Sequence, residues 1–101
     1  MDTADLRIFE AVARLGVMGR AAAELNTVQS NVTARIRGLE ESLGCRLFER
    51  HASGVTLTDA GRRLLPYAQR VPLLLRDATH AVRDDGVPRG KLVIGSLETT
   101  A

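Results

Sequence analysis

The polar side chains with the clearest chemical meaning lie on one face of a predicted helix over residues 28–43. Apolar side chains recur there at steps of four, three and four residues, which predicts one buried face, formed by Val32, Ile36, Leu39 and Leu43. The opposite face carries Ser30, Thr33, Ala34 and Arg37. Small polar side chains followed by a guanidinium suit close approach to the base edges and phosphates of a DNA groove, with an ordinary solvated face as the alternative.

Other chemistries have weaker support in this chain. A catalytic site needs convergent acids, bases or nucleophiles, but the two histidines, His51 and His80, are distant and the carboxylates are scattered. Cys45 lacks partners at the spacing of a metal site, and nothing in the sequence points to a cofactor. Glu40 and Glu41 occupy consecutive helical positions and point apart, so we interpret them as a solvated face. We therefore predict neither an enzyme nor a metal site.

The composition, with 45% hydrophobic and 26% charged residues, is typical of a soluble globular protein. The net charge is only +2, but 13 of the 14 basic residues are arginine, which suits forked contacts to phosphates and bases. No apolar run approaches the roughly 20 residues of a membrane span, and the N-terminus is acidic where a signal peptide is basic. We therefore expect a cytoplasmic protein with no membrane partner. The single cysteine, Cys45, has apolar or compact neighbours and is predicted to fill the core.

Three helices are predicted in the first half of the chain. The first covers residues 4–15 and ends at Gly16, a residue suited to the left-handed conformation of a helix terminus. The second covers residues 19–25, is rich in alanine and stops at Asn26, which tolerates the same conformation. Because the third helix starts at about residue 28, the turn that joins the second and third helices is only a few residues long.

A hairpin and a long helix are predicted to follow. Two short apolar runs around a turn-rich centre indicate a β-hairpin over residues 48–57. The helix then covers residues 60–84, and its apolar residues alternate by four and three, the heptad pattern of paired helices. This seam consists of Leu64, Ala68, Val71, Leu75, Ala78 and Val82. Pro66 and Pro72 lie inside the helix, and we expect a kink that is sharpest near Pro72.

These elements predict a mainly α fold, a winged helix-turn-helix of three helices and a two-stranded β wing, followed by a long dimerisation helix. We assign residues 1–58 to the winged helix-turn-helix and residues 59–85 to the linker and dimerisation helix. Residues 86–101 are assigned to a hinge and the first strand of a second domain. That strand has no partner within the chain, so we expect the chain to end just inside the second domain.

The order of short motifs along the chain resembles that of the LysR-type transcriptional regulators. The matching motifs are Leu6-Arg7-Ile8-Phe9, Arg20-Ala21-Ala22-Ala23-Glu24-Leu25, Gln29-Ser30-Asn31-Val32-Thr33, Ile36-Arg37-Gly38-Leu39-Glu40, Leu43-Gly44, Leu47-Phe48-Glu49-Arg50 and Leu57-Thr58-Asp59-Ala60-Gly61. The resemblance runs from residue 3 to about residue 70, and residues 90–95 are similar to the start of the family's effector domain. Such a series of ordered matches is specific.

The resemblance implies a homodimer that binds a pseudo-palindromic double-stranded operator, is joined through the long helix and is usually assembled into tetramers. A small-molecule co-inducer would bind the effector domain, and the protein would act in the bacterial cytoplasm on the nucleoid. The recognition helix, residues 28–43, would enter the major groove, while the wing, residues 48–57, would meet the flanking backbone or the minor groove. The residues implied at the DNA are Arg20, Thr27, Gln29, Ser30, Asn31, Thr33, Ala34, Arg37, Arg50, His51 and Ser53.

The chain departs from the family pattern at several of these positions. Gly19 and Val28 stand where the family commonly has a Ser or Thr helix N-cap, and Thr27 is a candidate replacement for the second cap. Ala34 stands where many members have an arginine that contacts DNA, and Ser53 replaces a basic residue common at the wing tip. We therefore expect the shape of the operator to contribute more than usual to recognition. A helical protein-interaction or dimerisation module without DNA binding remains the alternative function.

Overall fold

A computed structural model describes residues 1–83, and the hinge and strand predicted over residues 86–101 lie outside this range. The described elements are α1 (Thr3–Leu15), α2 (Met18–Glu24), α3 (Gln29–Leu43), β1 (Phe48–His51), β2 (Gly54–Leu57) and α4 (Asp59–Val82). The predicted order of three helices, a two-stranded wing and a long helix is therefore confirmed. No helix in residues 1–83 combines the length and the apolar character needed to cross a membrane.

The ends of the first two helices are set by local chemistry. Asp2 caps α1, since its carboxylate accepts a hydrogen bond of 2.9 Å from the backbone N–H of Asp5, and the Asp5 carboxylate accepts one of 3.2 Å from the N–H of Asp2. The first of these bonds lowers the pKa of the Asp2 carboxyl. Gly16 ends α1 with a φ of 74°, and Asn26 follows α2 with a φ of 58°, so both predicted left-handed stops are confirmed.

One small apolar core joins the helices to the wing. Phe9 and Val12 of α1 are fully buried, and the Phe9 ring lies 5.2 Å from the ring of Phe48 at the start of β1. Helix α3 contributes Val32, Ile36 and Leu39, and other core residues are Leu6, Ile8, Ala11, Met18, Ala21, Ala22, Leu47, Val55 and Ala68. The wing is thus part of the packed body, because its first residue fills the core beside α1.

Two apolar residues predicted to be buried are exposed. Leu43 was placed on the buried face of α3, but it is 39% exposed, and Cys45 is exposed as well. Both residues flank Gly44, which ends α3 with a φ of 73° in a surface turn. The turn carries the chain away from the core before it returns at Leu47, so neither side chain is covered.

The wing is attached to the rest of the domain through its backbone. The N–H of Val55 in β2 donates a 2.9 Å hydrogen bond to the carbonyl of Gly16, at the end of α1. Gly54 precedes it with a φ of 148°, and a Cβ built there would meet the Gly16 carbonyl oxygen at a distance that no real Cβ tolerates. On the other side of the hairpin, the carbonyl of Leu47, which precedes β1, accepts a 2.9 Å hydrogen bond from the N–H of Thr58. Backbone hydrogen bonds therefore join the hairpin to the end of α1 and to the start of α4.

Thr58 is the N-cap of α4, and its hydroxyl oxygen accepts a 3.1 Å hydrogen bond from the N–H of Gly61. The helix continues through Pro66 and Pro72 to Val82, so neither proline ends it. Both prolines are half-buried. The kink expected near Pro72 stays a prediction.

The contact between Gly54 and Gly16 generates a stability prediction. Gly54→Ala should destabilise the domain by at least about 2 kcal/mol, because the new methyl group meets backbone atoms and the φ is unfavourable for an L residue. Gly38→Ala is the matched control: Gly38 lies inside α3 with open space at its Cβ position, so alanine should stabilise the domain by about 0.5–1 kcal/mol. Urea unfolding of both variants measures the two effects, and equal stabilities would contradict the packing described for the wing.

Candidate nucleic-acid interface

One long side of α3 is free of contacts with the core. Its outward side chains are Gln29, Ser30, Asn31, Ala34 and Arg37, which are exposed, and Thr33, which is half-buried. This is the face predicted from the spacing of Val32, Ile36 and Leu39 on the other side. Because the outward residues near its N-terminal end are short, the backbone of α3 can come close to a surface laid against it.

The start of α3 differs from the predicted capping. Val28 is the N-cap residue, and no side-chain hydrogen bond caps the helix there. The Thr27 hydroxyl instead accepts a 3.0 Å hydrogen bond from the side-chain amide of Asn31, so the prediction that Thr27 replaces the missing cap is wrong. The hydroxyl is engaged by Asn31, the third residue of α3, rather than by a backbone N–H. At α2, Val17 is the N-cap and likewise supplies no side-chain hydrogen bond.

A groove of about 560 Å³ lies between α3 and the turn that leads into β1 of the wing. Three arginines line it: Arg37 from α3, Arg46 from the turn and Arg50 from β1, and all three are exposed. Thr33 and Cys45 also face the groove. The carboxylates of Glu40 and Glu41 also line the groove, so its charged side chains leave a net charge of +1, and the planar guanidinium forks match phosphate oxygens. Sequence reasoning identified Arg37 and Arg50 but missed Arg46, because Arg46 belongs to neither predicted element.

Glu40 connects α3 to the wing. Its carboxylate accepts hydrogen bonds from the backbone N–H groups of Leu47, at 2.7 Å, and Phe48, at 3.3 Å, and lies 3.8 Å from Nε of Arg46. The interpretation of Glu40 as part of a solvated face is therefore wrong, whereas Glu41 is exposed. The available signal was position: Glu40 lies four residues after Ile36, so it borders the buried face of α3.

The remaining predicted DNA residues lie outside this groove. Arg20 is exposed on α2, and His51 and Ser53 are exposed at the tip of the wing, where the Ser53 hydroxyl lies 3.2 Å from Nδ1 of His51. Within residues 1–83, no three His, Cys, Asp or Glu side chains are placed to hold a metal ion. The structure thus brings Thr33, Arg37 and Arg50 together along the groove, with Arg20 on the neighbouring helix.

The predicted seam of α4 is divided between two environments. Ala68 is 1% exposed and lies in the core of its own domain, with Leu64 and Val71 half-buried beside it. The C-terminal half of the seam, Leu75, Ala78 and Val82, is exposed. The apolar side chains that α4 leaves uncovered also include Tyr67 and Leu74, at 59% and 63% exposed, which the heptad pattern did not select. The placement of Ala68 in a helix-pairing seam is therefore wrong, because α1 and the wing cover that side.

A family profile described as the bacterial regulatory helix-turn-helix protein, lysR family, matches residues 3–62. Among similar proteins, the HTH-type transcriptional regulator YofA of Bacillus subtilis is 54% identical over 101 residues, which are 100% of this chain and 35% of YofA. The HTH-type transcriptional regulator CzcR of Bacillus anthracis is 45% identical over the same length and is also covered to 35%. The chain thus spans about a third of the length of these relatives.

Solved structures show the same fold. The crystal structure of the CbnR_DBD-DNA complex aligns with a TM-score of 0.82 and 34% identity, covering 86% of this chain and 100% of that chain. The crystal structure of the BenM_DBD/benA site 1 DNA complex aligns with a TM-score of 0.80 and 27% identity, covering 88% and 100%. The exposed face of α3 and the arginine groove therefore belong to a fold that is found bound to DNA.

Proposed function

The chain belongs to the lysR family of bacterial regulatory helix-turn-helix proteins, and from this premise we propose that it binds operator DNA as the DNA-binding part of a dimeric transcriptional regulator. The observation that supports this most is the outward face of α3 beside the arginine groove. A B-DNA major groove is about 12 Å wide and accepts one helix, whose short side chains let the backbone lie near base edges. The arginines then lie where the flanking phosphates run.

We divide the contacts by chemistry. Gln29, Ser30 and Thr33 lie toward the N-terminal end of α3, where recognition helices meet base edges, and they supply the direct readout. Affinity that does not depend on DNA sequence comes from arginine contacts to phosphates. The arginines proposed for these contacts are Arg20, Arg37, Arg46 and Arg50. The residue at the wing tip is Ser53 rather than an arginine or a lysine. We therefore propose that the shape of the operator contributes to recognition where the wing contacts DNA.

Dimerisation is proposed to use the uncovered apolar stripe of α4. The stripe consists of Tyr67, Leu74, Leu75, Ala78 and Val82, together with the half-buried Val71, and these residues share one side of the helix at about 100° per residue. It lies beside the side that packs on α1, so one α4 can contact its own domain and a second copy at once. A two-fold dimer then requires a pseudo-palindromic operator, with half-sites spaced by the geometry of the dimer.

The full-length protein has further proposed partners. Relatives are about three times as long as this chain, and we propose that the additional length forms an effector domain that binds a small-molecule co-inducer and supports tetramers. We place the protein in the cytoplasm on the nucleoid, and we propose no catalytic activity, since its relatives are named transcriptional regulators.

Binding to random duplex DNA tests the proposed function directly. Affinity should fall linearly in a plot of log binding constant against log salt, because each neutralised phosphate contributes a slope of about −0.9. If all four arginines contact phosphates, the slope should lie between about −3 and −4 per protomer. Fluorescence anisotropy at several salt concentrations measures it. An interaction module without DNA binding would show no affinity at any salt concentration.

Gln29 and Arg37 should have different effects on specificity. Gln29→Ala should cost about 1–3 kcal/mol on the operator and leave random DNA nearly unaffected, since glutamine can make a bidentate contact to adenine. Arg37→Ala should weaken both DNAs and reduce the salt slope by about one. The operator is first obtained by selecting bound genomic fragments, and both variants are then titrated on both DNAs at one salt concentration. Equal losses for Gln29→Ala on the two DNAs would remove it from the base-reading residues.

The dimer proposal has a matched pair of variants on α4. Leu75→Lys should weaken dimerisation at least about tenfold, because it places two unpaired charges in an apolar contact. Leu73 is 49% exposed, close to the 48% of Leu75, but lies two residues away and therefore on the opposite side of the helix. Leu73→Lys should leave the dimer intact. Sedimentation of the three proteins measures this, and a monomeric unmodified chain at tens of micromolar would contradict the proposal.

A further inference from the structure

Val28 is an apolar side chain without a structural role at the start of α3. It is 64% exposed, more than any other large apolar side chain in residues 1–58. It lies outside the core cluster and the residues packed against it. Val28 is the N-cap of α3, where a side chain commonly accepts a hydrogen bond from the helix backbone, but the valine side chain makes no such bond. Neither packing nor capping therefore accounts for valine here.

The backbone holds this side chain outward in a defined position. Val28 is extended, with φ of −103° and ψ of 155°, and its carbonyl accepts the N–H groups of Asn31 and Val32 at 3.1 and 3.3 Å. Its main chain is thus fixed as the N-cap of the helix. Because valine is branched at Cβ, its side chain has few accessible rotamers. Two methyl groups consequently project in a fixed direction beside Gln29 and Ser30, with little entropy to lose on contact.

We propose that Val28 reads a thymine in the operator through contact of its methyl groups with the thymine C5 methyl group. This inference rests on the proposed function, since it needs the N-terminal end of α3 to lie in the major groove. Thymine is the base that presents an apolar group there, and small apolar side chains are its usual partners. The neighbouring exposed side chains, Gln29, Ser30 and Asn31, are all polar. Val28 therefore adds an apolar contact to a recognition surface that is otherwise polar.

Deoxyuridine tests this contact because it differs from thymidine only by the missing methyl group. The operator is selected with the unmodified chain, and each thymine of a half-site is then replaced in turn by deoxyuridine. At one position the unmodified chain should bind about fourfold more weakly, the loss expected for one buried methyl-sized group. In Val28→Ser the same replacement should leave the affinity unchanged, and in Val28→Ala, which keeps one methyl group, it should have a smaller effect than in the unmodified chain. Val28→Ser keeps the fold testable, because serine is a favourable N-cap.

Leu43→Ala is the matched control, since Leu43 is the exposed apolar residue at the other end of α3 and should leave the deoxyuridine effect intact. If no replacement weakens the unmodified chain, or if the Val28 variants keep the same sensitivity, the inference is overturned. Equal losses of Val28→Ser on operator and random DNA, without any dependence on deoxyuridine, would assign Val28 to the sugar-phosphate backbone and would also overturn it. If the unmodified chain fails to bind any duplex DNA, the result would instead contradict the proposed function itself.

Discussion

The hydrogen bond from the Leu47 N–H to the Glu40 carboxylate is the contact on which the relative placement of α3 and the wing depends. It joins the recognition helix to the residue that precedes β1, and the same carboxylate accepts the N–H of Phe48. Leu47 and Phe48 are only 1% and 2% exposed, and the Glu40 carboxylate accepts hydrogen bonds from both of their backbone N–H groups. A hydrogen bond to a charged group contributes about 1.5–3 kcal/mol, which is considerable for a domain this small.

Apart from the Glu40 contact, the interactions that hold the domain together lie away from the outward face of α3. Phe9 and Phe48 pack together inside, Val55 bonds to the carbonyl of Gly16, and Arg14 bridges Glu10 of α1 and Glu24 of α2. The Arg14 hydrogen bond lowers the pKa of the Glu24 carboxyl, so this exposed bridge persists in mildly acidic solution. Substitution of the outward side chains of α3 should therefore change the proposed DNA-facing surface without loss of the fold.

Sequence patterns predicted the structural features that are determined by residues close together in the chain. The helices, the stops at Gly16 and Asn26 and the hairpin follow from periodicity and backbone preference, which act over a few residues. The errors at Ala68 and Glu40 arose because a distant element decides the environment of each residue. Periodicity places Ala68 on an apolar stripe but cannot say whether α1 or a second chain covers it, and nothing local shows that Glu40 meets backbone seven residues later. The sequence alone cannot show that Arg37, Arg46 and Arg50 share one groove, because a fold brings them together.

Leu47 also links the recognition helix to the helix proposed for dimerisation. Its N–H bonds to Glu40 of α3, while its carbonyl accepts the N–H of Thr58, the N-cap of α4. Gly61, one turn into α4, packs so closely on that carbonyl that a Cβ would not fit. Two hydrogen bonds and one close backbone contact therefore connect α3 to α4 through Leu47. Since the exposed half of α4 is proposed to set the dimer, the spacing between two α3 helices follows from how α4 packs, and a shift of α4 would be carried to the half-sites.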